Sequence, residues 1–153
     1  MNREEELGDN IKTLLPYFIV LTGIIIDQVS KFFVIRNFKN QSFELIDKIL
    51  SITVVKNTGS AFGILEGYNI IIIFISIIVV IVSSYYLLTS KDFLMKIALA
   101  LIISGAIGNI IDRIRLGYVI DFIDINIWPV FNFADSFITI GSIILILYIN
   151  KKK

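Results

Sequence analysis

Three aspartates, Asp112, Asp121 and Asp135, crowd between two apolar stretches that each look like a membrane span. The chain has no histidine and no cysteine, so carboxylates lead the candidates for chemistry. Two closely spaced carboxylates in a poorly solvated place cannot both ionise, and they share one proton. The ionised partner can take a proton from water. The protonated partner can donate to a carbonyl oxygen as it becomes an oxyanion, then help an amine leave. Peptide hydrolysis by this scheme requires no metal, and no cofactor is expected. Each aspartate also has a bland reading. Asp135 precedes an apolar run, where a carboxylate would cap the free N–H groups of a helix. Asp112 adjoins Arg113 and could pair with it.

Other hydrolytic arrangements are excluded. Without histidine there is neither a Ser-His-Asp triad nor a histidine zinc site. No Gly-x-Ser-x-Gly elbow or phosphate loop occurs. Ser30 and Lys31 make a poor dyad, because consecutive helix residues do not face each other. Asp27 and Lys31, at i and i+4, share one helix face. They read as a pair that neutralises itself or as the border of a polar site. Asn57, Asn109 and Asn132 offer side-chain amides suited to recognising an extended peptide, or to capping turns. Gly105 and Gly108, with Ser104 and Ala106, permit close approach of two helices.

The elements that must position these groups follow from composition. At 153 residues, 56% hydrophobic and only 18% charged, with mean hydropathy +0.85, the chain reads as an integral membrane protein. The clearest apolar window runs from Gly67 to Ser90, uncharged between Glu66 and Lys91. The pattern predicts a single, all-α membrane domain over 1–153, with spans at about 13–35, 67–90, 97–113 and 134–150. Loops of about 36–66 and 114–133 join the first to the second span and the third to the fourth. The uncharged runs Ile97–Ile111 and Ser136–Asn150 are short. About fifteen helical residues cover roughly 22 Å, against a hydrocarbon core of about 30 Å. The last two helices must therefore carry their flanking aspartates into or beside the membrane.

With four spans, parity gathers Asp27, Lys31, Asn57, Asn109, Asp112, Arg113 and Asp135 on one side. The termini and the Lys91–Lys96 turn fall on the other. Basic residues adjacent to spans favour cytoplasmic termini, which makes the motif side extracytoplasmic; Arg113 and Arg115 run against that assignment. Ile49 to Val55 is β-branched and precedes the turn signal Asn57-Thr58-Gly59. A small extracytoplasmic β element is expected there, lying over the bundle. Trp128-Pro129 suits an interfacial anchor. The net charge of +1 gives no sign of a nucleic-acid partner. The acidic first ten residues and the lack of a small-x-small cleavage site make the first apolar run a retained span. A small proton- or ion-coupled carrier is the rival reading, but it calls for inverted repeats and a midplane site. No repeat is evident here. A non-enzymatic scaffold would depend more on Gly105 and Gly108 than on the aspartates.

Five ordered motifs carry a family resemblance: Asp27-Gln-Val-Ser-Lys31, Asn57-Thr-Gly-Ser-Ala-Phe62, Gly105-Ala-Ile-Gly-Asn-Ile-Ile-Asp-Arg113, Val119-Ile-Asp121-Phe and Phe131-Asn-Phe-Ala-Asp135. In this order, and over nearly the whole chain, they resemble the bacterial lipoprotein signal peptidases (type II signal peptidases). Ser104 stands where that family usually has a second glycine. The resemblance implies an aspartic endopeptidase of the bacterial plasma (inner) membrane that cleaves prolipoproteins before a diacylglyceryl-modified cysteine. It implies Asp121 and Asp135 as the catalytic pair. Asp27, Lys31, Asn57, Gly59, Asn109, Asp112, Arg113 and Asn132 would bind substrate or support the pair. Asp121 has apolar neighbours on both sides, which suits a carboxyl with a raised pKa. Adjacent Arg113 would keep Asp112 ionised. The partners implied are lipidated prolipoproteins and membrane lipids, with the protein itself a monomer.

Overall fold

A computed structural model describes residues 3–38, 42–59 and 67–152. Residues 60–62 of the Asn57–Phe62 motif lie outside the described residues, as does Lys153 of the terminal lysine run. Four helices dominate: α1 (Arg3–Phe38), α2 (Asn69–Thr89), α3 (Phe93–Leu116) and α4 (Phe133–Lys152). Each contains a stretch long and apolar enough to cross a bilayer, with 20 residues in the shortest. At 1.5 Å per residue that is about 30 Å, the thickness of a hydrocarbon core. The chain is a multi-pass membrane protein. Large apolar side chains face outward along the helices, such as Leu14, Phe18, Ile70, Phe74, Ile81 and Leu147, as lipid contact demands.

Helix α3 is the central post and packs against α1, α2 and α4. Its small residues make this possible. A Cβ at Gly105 would overlap the backbone carbonyl of Ala134 on α4, and one at Gly141 of α4 would lie 2.6 Å from the carbonyl of Ala98. Ser104 is fully buried and sits over Gly23 of α1, where a Cβ would come within 2.7 Å of its Oγ. The serine hydroxyl bonds back to the carbonyl of Leu101 at 2.8 Å. Serine is thus tolerated at 104 because α1 presents a glycine to it.

Helix α3 ends at Gly117, whose φ of 82° is left-handed and whose N–H closes on the Arg113 carbonyl. The chain reverses there into a strand. The sheet is antiparallel and three-stranded, ordered β1 (Phe43–Ile46), β2 (Leu50–Asn57) and β3 (Val119–Asp124). The β element expected in the first loop is present, but it recruits its third strand from the loop between α3 and α4. Val55 of β2 stands opposite Asp121 of β3, with a register irregularity between Ile52 and Val55. A further bridge joins Ile123 to Phe131, so the chain folds back along β3 before entering α4.

Helix packing this close predicts that Gly105→Val lowers the thermal unfolding midpoint in detergent. The loss should correspond to about 1–3 kcal/mol, the usual range for overpacking a filled contact. Gly8→Ala, where an added Cβ meets nothing within 4 Å, should leave the midpoint unchanged.

Candidate active site

The polar residues that parity gathers on one side form two connected layers. The deeper layer is ionic. Lys31 of α1 is 2% exposed, Asp27 0% and Asp112 1%. The Lys31 ammonium lies 2.8 Å from Asp27 Oδ2 and 3.0 Å from Asp112 Oδ2, and it donates to Asn109 Oδ1 at 3.0 Å. Its three donors therefore meet three acceptors. Gln28 closes the layer. Its Nε2 donates to Asp27 Oδ2 (3.2 Å), to Asp112 Oδ1 (3.1 Å) and to the carbonyl of Gly108 (3.1 Å). Gly108 leaves the space this requires, since a Cβ there would lie 2.5 Å from Asp27 Oδ2. Desolvating three charges is expensive, and such a cluster is tolerable only when every lone pair and proton is matched.

The shallower layer faces a cavity of about 710 Å³. Asp121 and Asp135 both line it, with Asn57, Asn109, Arg113 and Trp128. Asp27, Lys31 and Asp112 do not. Apolar side chains of α2, α3 and α4, including Ile72, Val79, Ile102 and Ile138, form much of the remaining wall, with β2 and the segment from Trp128 to Phe131 completing it.

Each carboxylate at the cavity is held by amides. Asn57 Nδ2 donates to Asp121 Oδ2 at 2.8 Å and Asn132 Nδ2 to Asp121 Oδ1 at 2.7 Å. The Asn57 amide is oriented by its own Oδ1, which accepts from the Gly59 N–H at 2.9 Å. Asp135 Oδ1 accepts from Asn109 Nδ2 at 2.8 Å, and its Oδ2 from the Asn132 N–H at 3.2 Å. In return the Asp135 N–H donates to Asn132 Oδ1 at 2.9 Å. This reciprocal pair is a capping box in its logic. The residue that caps α4 is therefore Asn132; Asp135, expected ahead of the helix, lies in its first turn and returns the bond from there. Asn132 binds both carboxylates and is fully buried. Arg113 donates from Nη2 to the carbonyl of Gly59 at 2.9 Å. Its Nε is buried without a hydrogen-bond partner.

Burial raises the pKa of Asp121 to about 6, and the nearby charge of Asp135 adds to the effect; the two asparagine donors oppose it. The direction agrees with the expectation drawn from the apolar residues on either side of Asp121 in the sequence.

Known proteins match this chain over most of its length. The family model described as "Signal peptidase (SPase) II" matches residues 19–151. The chain belongs to the signal peptidase II family. The lipoprotein signal peptidase of Halothermothrix orenii is 44% identical, with 88% of this chain and 94% of that protein covered. That of Staphylococcus aureus strain JH9 is 39% identical, covering 99% and 93%. A bacterial membrane enzyme solved by the in meso method superposes with a TM-score of 0.83 at 39% identity, covering 90% of this chain and 88% of that one.

Within this signal peptidase II chain, one sequence expectation is corrected. Asp112 does not pair with Arg113. Consecutive helix residues diverge by about 100°, so Asp112 turns inward to Lys31 while Arg113 turns to the cavity and Gly59. Two contributors went unassigned in the sequence. Gln28 stitches the two buried carboxylates together, and Asn69 at the start of α2 donates to the Arg113 carbonyl at 3.3 Å. A glutamine inside an apolar span was a usable signal; an asparagine at a helix start was not.

The raised pKa has a linkage consequence. Unfolded, Asp121 titrates near the ordinary aspartate value of 3.8; folded, near 6. Ionisation therefore destabilises the fold by nothing below pH 3.8 and by its full amount above about pH 6, on the order of 3 kcal/mol. Asp121→Asn lacks this term. As pH rises from 4 to 7, the unfolding midpoint of the variant should gain on that of the parent protein; a constant difference would contradict the raised pKa.

Proposed function

We propose that this chain is an intramembrane aspartic endopeptidase that removes signal peptides from prolipoproteins by cleaving before the diacylglyceryl-modified cysteine. The observation that carries this reading is the shared cavity of Asp121 and Asp135, each bound by asparagine amides and both joined through Asn132. Family membership favours this over the ion-coupled carrier. Asp112 lies outside the cavity lining, which supports Asp121 and Asp135 as the catalytic pair.

In this mechanism one proton is shared by the pair, resting on Asp121. Asp135 takes a proton from water, and the hydroxide oxygen attacks the scissile carbonyl carbon. Asp121 donates its proton to the carbonyl oxygen. A proton then passes from Asp135 to the amide nitrogen. As the C–N bond breaks, one hydroxyl of the diol returns its proton to Asp121, and a carboxylic acid and an amine leave with the pair's single proton back on Asp121. Arg113 and Asn57 stand at the cavity to orient the extended peptide. Termini in the cytoplasm put this cavity near the extracytoplasmic face of the plasma membrane. Substrate acyl chains can then remain in the bilayer, where each buried methylene is worth about 0.8 kcal/mol. The protein acts as a monomer and without a cofactor.

Incubation of the purified protein in detergent with a lipidated prolipoprotein tests the reading. Cleavage before the modified cysteine is expected; intact substrate would refute it. Asp121→Asn and Asp135→Asn should each lower kcat by about 10²–10⁴-fold or more while the protein remains folded. An active Asp121→Asn beside a dead Asp112→Asn would show that the pair is wrongly assigned. The proton on Asp121 also sets a pH limb. The rate constant kcat/KM should decline above about pH 6, where Asp121 of the free protein loses its proton. Substrate expels water from the cavity and strengthens desolvation, so the limb in kcat should lie at higher pH. Asn57→Ala removes a donor to the charged form and should move both limbs upward.

A further inference from the structure

The ionic layer has no wall in the cavity, yet it touches the backbone at two telling places. Asp112 Oδ2 accepts from the N–H of Ile120 at 3.2 Å, and Asp27 Oδ1 accepts from the N–H of Ala134 at 3.0 Å. Ile120 immediately precedes Asp121, and Ala134 immediately precedes Asp135. Both bonds are buried. The two acceptors reach these amides from different helices, α3 and α1, and Lys31 binds both of them at 2.8 and 3.0 Å. The same ammonium fixes the amide of Asn109. Its Oδ1 accepts from Lys31, which turns Nδ2 toward Asp135.

We propose that Asp27, Lys31 and Asp112 form a clamp that sets the separation and aim of the two cavity aspartates, and that none of the three touches substrate. The clamp rests on the reading of Asp121 and Asp135 as the catalytic pair. Asp121 sits on a strand and Asp135 on a helix, so no single element fixes the distance between them. Asn132 bridges the two carboxyl groups directly, and the clamp fixes the backbone from which each of them projects. Each carboxylate grips the peptide N–H one residue before a catalytic side chain, and the lysine ties the two grips together. Asp27, Lys31 and Asp112 are therefore positioning residues. Gln28, bonded to both carboxylates, braces the clamp from its outer side.

The test compares Asp27→Ala and Asp112→Ala with Asp27→Asn and Asp112→Asn in the purified full-length protein. Asparagine at 112 keeps an oxygen that can accept from both the Ile120 N–H and Lys31. At 27 it keeps the acceptor for the Ala134 N–H but turns an amide NH2 toward Lys31. Alanine keeps neither. Two readouts are taken: hydrogen exchange at the Ile120 and Ala134 amides, and kcat and KM on the lipidated prolipoprotein. In the alanine variants we expect faster exchange at Ala134 for position 27 and at Ile120 for position 112. The expected fall in kcat is about a hundredfold, the scale of a misplacement of about 1 Å, with KM little changed. Asp112→Asn should recover most of both, whereas Asp27→Asn should recover protection at Ala134 but, without the tie to Lys31, only part of kcat. A raised KM with kcat intact would show direct substrate contact and overturn the clamp. Unchanged amide exchange, or asparagine no better than alanine, would overturn it too. If the alanine variants do not fold, Asp112→Asn decides alone: loss of Ile120 amide protection or of kcat in it refutes the proposal. A chain that cleaves nothing, yet shows the expected exchange pattern, supports the clamp and refutes the peptidase reading instead.

Discussion

The lysine ammonium at position 31 holds the polar interior of this membrane protein together. It is almost wholly removed from solvent and is matched by two carboxylates and one amide oxygen. A charge so placed tolerates little movement, because separation from any partner leaves an uncompensated ion in a medium of low dielectric; loss of one partner of a buried pair typically costs about 3–5 kcal/mol. The rest of the site inherits this rigidity. From Lys31 one chain of contacts runs through Asn109 to Asp135. A second runs through Asp112 to the start of β3 and so to Asp121. Exposed carboxylates gain modest support from their neighbours. Here the support comes from deep burial and from complete matching of donors with acceptors.

A second constraint works in the other direction. Ionising Asp121 in its buried setting is unfavourable, so the folded protein carries a strained proton equilibrium at the mouth of an otherwise well-satisfied network. Asn57 and Asn132 limit that strain without abolishing it. Groups with such displaced pKa values cluster where proton transfer is needed, and the sheet is the element that makes this one possible. Strand β3 lies buried between β2 and the Phe131 segment, and Asp121 shares its concealment.

Much of this was legible in the sequence, for identifiable reasons. Long uncharged windows reveal membrane spans because the bilayer imposes a length, and the β-branched run before Asn57 announced β2. Parity alone placed the polar motifs on one side. The third strand was not legible: Val119–Asp124 is short, and its partner lies in the first loop, so only tertiary contact reveals the pairing. The pairing of Asp112 was misread because adjacency along the chain suggested Arg113, whereas helical geometry separates consecutive side chains. The separation of the aspartates into one outside the cavity lining and two on it also required coordinates, since all three sit in motifs of similar appearance. Two helices, α1 and α3, must meet before one lysine can serve Asp27, Asp112 and Asn109, and no local pattern encodes that meeting.

Gly108 shows how far the two kinds of constraint have merged. It resembles any small residue that lets helices approach, yet the atom nearest to its missing side chain is a carboxylate oxygen of Asp27. Its carbonyl also receives the Gln28 amide. A methyl group at this position would therefore act as an electrostatic perturbation delivered by steric means, displacing a counter-ion of Lys31. Helix packing and charge balance cannot drift independently here. The smallest residue in α3 guards the ionic layer that the largest side chains only surround.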